Sequence, residues 1–144
     1  MITRHLTRLL GVIAFCIANA ALADNSPVIV VNPAIYSKDI LSQSALSAIF
    51  GMRVREWEDG SPIKVFVLPD DNPLHIAFSK NILHVFPYQL RSAWDRLVFS
   101  GTGEEPIRVK SEQQMRALVG STPGAIGYLS RSMIDATVKA VTSE

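Results

Sequence analysis

Asp70, Asp71, His75 and His84 are the side chains of this 144-residue sequence whose types and spacing come nearest to chemistry. His75 and His84 fall in a stretch read as one helix, and at about 100° per residue they project from opposite sides of it. They can neither share a metal nor act as an acid–base pair, so each reads as an ordinary, partly exposed histidine. Asp70 and Asp71 could offer oxygens to calcium or serve as acid and base. A calcium loop needs further oxygen ligands and a glycine, and Pro73 interrupts the pattern. The pair reads better as helix-start carboxylates facing the positive end of the dipole.

Other candidates fail on spacing. Gly120–Gly124 holds a serine in the wrong place for a nucleophile elbow, with a proline close by. Ser100–Gly103 could present amides to an anion. It lacks the lysine of a phosphate loop, however, and Glu104 and Glu105 follow it. Trp57 and Trp94 could stack on a ligand, but both read as core or near-core aromatics. With no nucleophile–base pair and no cluster of ligands, the residues point away from an enzyme, and no cofactor or metal is expected.

These residues must be held by alternating strands and helices. Pro27–Val31 is a β-branched run expected as a strand buried on both faces. Ser44 is expected to cap a helix running to Phe50, stopped by Gly51. Residues 58–62 form a strong turn signal before a second buried strand over Ile63–Leu68. Asn72 then stands as a helix cap directly before Pro73, a residue suited to the first helical position. Leu74, Phe78, Ile82 and Val85 predict one apolar stripe on a helix that Pro87 ends. In the next helix Leu90, Trp94, Leu97 and Val98 are expected inward, with Arg91, Asp95 and Arg96 in solvent. A brief strand at Ile107–Val109, a helix over Ser111–Val119, a strand at Ala125–Leu129 and a last strand at Thr137–Thr142 complete the pattern. The alternation predicts an α/β class: a single sheet with helices packed on its faces.

The N-terminus carries an export pattern. Arg4 and Arg8 form a basic start, Leu9–Ala18 an apolar run, and Ala21 and Ala23 put small residues at −3 and −1 of a cut before Asp24. The run is shorter than the roughly 20 residues that cross a bilayer, so no permanent membrane anchor is expected. Residues 1–23 are thus read as a signal peptide and 24–144 as one domain, periplasmic after export across the inner membrane. Cys16 follows Phe15 where a lipidation site wants a small residue, and it leaves with the signal, so the mature chain is cysteine-free. Its loss, with Arg4 and Arg8, turns a formal net charge of +1 slightly negative. That balance offers no basic stripe to nucleic acid.

Leu46–Gly51 followed by Trp57–Gly60 resembles the phosphate-binding proteins of bacterial ABC transporters. The resemblance continues through Ile63–Phe78 and the Trp94 helix to Pro123–Tyr128, its most specific piece, and spans roughly residues 40–130. It implies a domain like one lobe of a type II periplasmic binding protein, a non-enzymatic role, and a small anion such as phosphate as ligand. The family's phosphate loop reads Arg-x-Asp-Gly-Ser-Gly-Thr. Asp70 keeps its aspartate, Asp71, Asn72, Pro73 and Leu74 stand at Gly-Ser-Gly-Thr, and Leu68 stands at the arginine. Through this resemblance Asp70, Asp71 and Asn72 are the expected anion-site residues. The resemblance also implies a membrane transporter or envelope protein as partner. The alternative expectation is a single-lobe accessory or protein-interaction module that has lost its ligand.

Overall fold

The computed structural model describes residues 25–35 and 40–144. Residues 1–23, with Ala21 and Ala23 at the expected cut, lie outside the described residues. Six strands form one mixed sheet: β1 (Pro27–Val31), β2 (Ile40–Leu41), β3 (Lys64–Val67), β4 (Ile107–Arg108), β5 (Ala125–Ser130) and β6 (Lys139–Ser143). Their order across the sheet is β2-β6-β1-β5-β3-β4. β5 runs antiparallel to β1 (Ile29 opposite Tyr128) and parallel to β3 (Val65 opposite Ile126). Among the described residues four α-helices accompany the sheet, α1 (Gln43–Phe50), α2 (Pro73–Asn81), α3 (Pro87–Ser100) and α4 (Glu112–Ser121), with one 3-10 turn at Arg131–Met133. The α/β class and single sheet are as the residue pattern predicts.

β5 carries the packing. All six of its residues are buried, because helices cover both faces and successive side chains alternate between them. On one face Tyr128 stacks on Phe78 of α2 at 3.9 Å between ring centroids, and Phe50 of α1 meets Phe78 edge-on at 4.7 Å. Trp94 of α3 donates its indole N–H to the Phe50 carbonyl at 2.8 Å and ties α3 to the end of α1. On the other face Gly127 lets α4 sit close: a Cβ there would lie 2.5 Å from the Met115 sulfur and 3.1 Å from Val119. Asn32, buried at the end of β1, donates its amide to the carbonyls of Val119 and Gly120 at 3.0 and 3.1 Å. It satisfies two of the orphan carbonyls that every helix end leaves.

Several local expectations need correction. Ser42, not Ser44, caps α1, accepting from the Ala45 N–H at 3.2 Å. α2 stops at Asn81 rather than at Pro87. Buried Ser79 turns the chain back by donating its hydroxyl to the Val85 carbonyl at 2.6 Å and accepting the Val85 N–H on its own carbonyl. His84 then sits in the turn at φ 56°, off the helix altogether. In α3 only Leu90 and Trp94 are buried, while Val98 and Phe99 face solvent, so only the first half of the helix packs on the core. Asn72 and Pro73 open α2 as expected, with the Asn72 Oδ1 accepting the Leu74 N–H at 2.9 Å.

Gly124 joins the Trp57 turn to β5. Its φ is +78°, and a Cβ there would fall 2.2 Å from the Pro62 carbonyl oxygen, a backbone atom that cannot yield. Its own carbonyl accepts the Trp57 indole N–H at 3.0 Å. Gly124→Ala is expected to lower stability by about 2 kcal/mol or more through combined strain and clash. Urea unfolding followed by tryptophan fluorescence measures it.

Candidate functional site

The residues expected to meet an anion lie where β3 ends and α2 begins. Parallel strands leave a crevice outside their carboxyl ends, and both β3 and β5 end on this side of the sheet. The structure distributes the three candidates differently. Asn72 spends its side-chain oxygen on its own helix cap. Asp71 is exposed to solvent. Asp70 is taken by Arg91 of α3: Nε donates to Oδ2 at 2.9 Å and a terminal nitrogen to Oδ1 at 3.0 Å. The remaining guanidinium nitrogen donates to Glu105 at 3.0 Å, and the planar group lies over the Trp94 ring at 5.1 Å. Arg91, expected in solvent, is thus clamped between two carboxylates. The hydrogen bonds from Arg91 hold the Asp70 carboxyl below its ordinary range.

Behind Asp70 the structure buries a polar pair that the sequence pattern did not reveal. His75 has no exposed surface, contrary to the partly exposed histidine expected from the helical wheel. The Tyr128 hydroxyl accepts the Leu68 N–H at 2.9 Å and lies 2.5 Å from His75 Nδ1. The Tyr128 hydroxyl and His75 Nδ1 share one hydrogen bond, which leaves the other ring nitrogen, Nε2. That Nε2 makes no hydrogen bond and stands 4.0 Å from Asp70 Oδ1. Burial lowers the His75 pKa; Asp70 opposes the shift, and Arg91 and Arg108 add to it. Burial also raises the Tyr128 pKa, so both groups are neutral near pH 7.

A cleft of about 440 Å³ opens beside the start of α2, lined by Asn72, Pro73, Leu74, Glu112 and Ser130 among others. Glu112, the first residue of α4, reaches across to the end of β5. Its Oε1 accepts the Ser130 N–H at 2.6 Å and its Oε2 accepts the Ser130 hydroxyl at 3.0 Å. Neither residue stood out in the sequence, because a helix-start glutamate and a strand-end serine are common and they lie far apart in the chain. A second cavity of about 310 Å³ lies at the opposite end of β5, walled by Trp57, Pro62, Pro123 and Ile35. Among the described residues no three His, Cys, Asp or Glu side chains gather as a metal site. No helix of the described residues is long and apolar enough to cross a membrane.

The His75–Tyr128 pair sets a pH dependence. A histidine whose folded pKa is lowered contributes stability that is full above its unfolded value of about 6.5 and is lost as pH falls below it. His75→Leu leaves the Tyr128 hydroxyl without its imidazole partner and is expected to cost about 1–3 kcal/mol at pH 7.5. The gap between wild type and variant should narrow toward pH 5, which chemical denaturation at the two pH values measures. A gap independent of pH would contradict a buried, neutral His75.

No protein-family model matches the sequence, and no curated protein matches it in sequence. Solved structures do match. The chain is similar to an ABC-type phosphate transport receptor from Vibrio cholerae, with a TM-score of 0.64 and 20% identity over 82% of this chain and 46% of that one. It is similar to a protein from Clostridium perfringens described as a phosphate ABC transporter substrate-binding protein and solved with bound phosphate. There the TM-score is 0.64 and the identity 18%, over 82% of this chain and 44% of that one. PstS from Borrelia burgdorferi gives a TM-score of 0.63 at 15% identity over 83% and 47%. The chain spans under half the length of the structures it matches. Its fold is that of one part of the phosphate-binding proteins of ABC transporters.

Proposed function

We propose that this chain is an exported, non-enzymatic recognition domain of the cell envelope, related to transport binding proteins, that works on a protein partner rather than carrying phosphate. The observation that carries the reading is that its own carboxylates already occupy two sets of donors at the crevice. Arg91, a cation beside the start of α2, is held two-pronged by Asp70, and the N–H and hydroxyl of Ser130 are held by Glu112. A phosphate placed there would have to displace tethered anions and lie beside their charge. Charge-assisted bonds contribute about 1.5–3 kcal/mol each, so losing such donors to internal partners removes most of the affinity a binding protein relies on. The second reading, a small anion such as phosphate held at Asp70, Asp71 and Asn72, draws support from the open cleft at the start of α2, of which Asn72 alone of the three is a wall. The partner class in this reading is a membrane transporter or another envelope protein, by analogy with the transport proteins that share the fold.

Two measurements test the proposal. Titration calorimetry of the purified protein with phosphate and sulfate at millimolar concentration is expected to give no saturable heat. A saturable phosphate isotherm would replace the leading reading with the second. For export, N-terminal sequencing of the protein recovered from the periplasmic fraction is expected to begin at Asp24; an intact Met1 in that fraction contradicts cleavage after Ala23.

A further inference from the structure

Glu112 does more than a first-turn glutamate needs to. Ser111 already caps α4, its hydroxyl accepting the Gln114 N–H at 3.1 Å. A glutamate at that position would ordinarily stay in solvent and interact with the helix dipole alone. Here it bridges two elements. The pairing of β3 with β5 reaches only Val65 opposite Ile126, after which β3 departs toward α2. On its other side Ser130 stands opposite Pro27 in a non-hydrogen-bonded pair, the neighbouring Arg131 giving its N–H to the Ser26 carbonyl, so the Ser130 N–H points away from β1. Ser130 is only 3% exposed, so its N–H and hydroxyl need a partner inside the fold. Two convergent donors, one N–H and one O–H, suit the two oxygens of a carboxylate or another oxyanion. The Glu112 carboxylate supplies both oxygens.

We propose that the end of β5 is an oxyanion-binding site whose occupant is the chain's own Glu112, and that Glu112 is the residue that closes this crevice to free anions. A tethered carboxylate acts at a high effective concentration, so a dissolved anion competes poorly for the same donors. Its fixed charge also repels any anion approaching the neighbouring start of α2. The inference rests on the reading that the wild-type domain does not take up phosphate.

The test is thermal unfolding of wild type, Glu112→Ala and Glu112→Gln in acetate, formate or inorganic phosphate, each against sodium chloride of equal ionic strength. The alanine variant leaves the Ser130 donors facing an emptied space, whereas glutamine keeps a neutral carbonyl against them. Glu112→Ala is expected to be less stable in chloride and to recover saturably in acetate or phosphate, following the mass-action law for a ligand of the native state. Wild type and Glu112→Gln are expected to respond no more to these anions than to chloride. Should the alanine variant be unfolded in chloride, circular dichroism reads the same series as recovery of folded signal. An alanine variant that no oxyanion rescues, with the glutamine variant folded, overturns the inference. A wild type stabilised by phosphate as strongly as the alanine variant also overturns it, and refutes the proposed function as well. A wild type stabilised by phosphate, but less than the alanine variant, refutes only the proposed function.

Discussion

Burial of β5 on both faces is the constraint from which the rest of the structure follows. A strand with no exposed side must satisfy every polar group it carries and must fit two layers of helices at once. Gly127 meets the second demand by admitting α4, with Met115 and Val119 against its Cα. Tyr128 meets the first: its ring stacks on Phe78 while its hydroxyl closes a chain from the Leu68 amide to His75. The hydroxyl therefore joins β5, the end of β3 and the first turn of α2. That junction places the start of α2 and fixes where Asp70 can meet Arg91. Large aromatic groups with a satisfied polar tip are well suited to this role, since they add buried area without leaving an orphan donor.

The electrostatics of the crevice follow from the same geometry. At the carboxyl ends of parallel strands, unpaired amides and helix starts accumulate positive potential, which is why ligands of α/β folds gather there. In this chain that potential is met from within. Asp70 sits against Arg91 and Glu112 against Ser130, with Glu105 on the outer side of Arg91. The ion pair Asp70–Arg91 is partly exposed and contributes modestly to stability, because solvent screens it. It also fills two nitrogens of the guanidinium's planar fork with a carboxylate. The core residues and the donor residues are different sets, so the fold alone does not fix what meets at the crevice.

Legibility differed between the core and the site for a physical reason. Pro27–Val31, Lys64–Val67 and Ala125–Ser130 were readable because buried strands are apolar runs bounded by proline, glycine and asparagine. The Asn72–Pro73 start of α2 was readable because a cap bonds within its own turn. His75 was misplaced on the surface because helical periodicity assigns a face but not what covers it. The turn at His84 was missed because Ser79 ends α2 through bonds to Val85 that no periodicity announces. The expected solvent face of α3 failed at Arg91, whose partner Asp70 belongs to another element.

What the amino-acid sequence determined by itself is local: the α/β alternation and the capped start of α2. Each depends on residues within a few positions of one another. The tertiary structure alone decided which polar groups meet. Tyr128 with His75, Asp70 with Arg91, and Glu112 with Ser130 are contacts between elements separated by 53, 21 and 18 positions. Only the packing of α2, α3 and α4 around β5 brings them within bonding distance, and those meetings decide whether the crevice holds a free anion or one of its own.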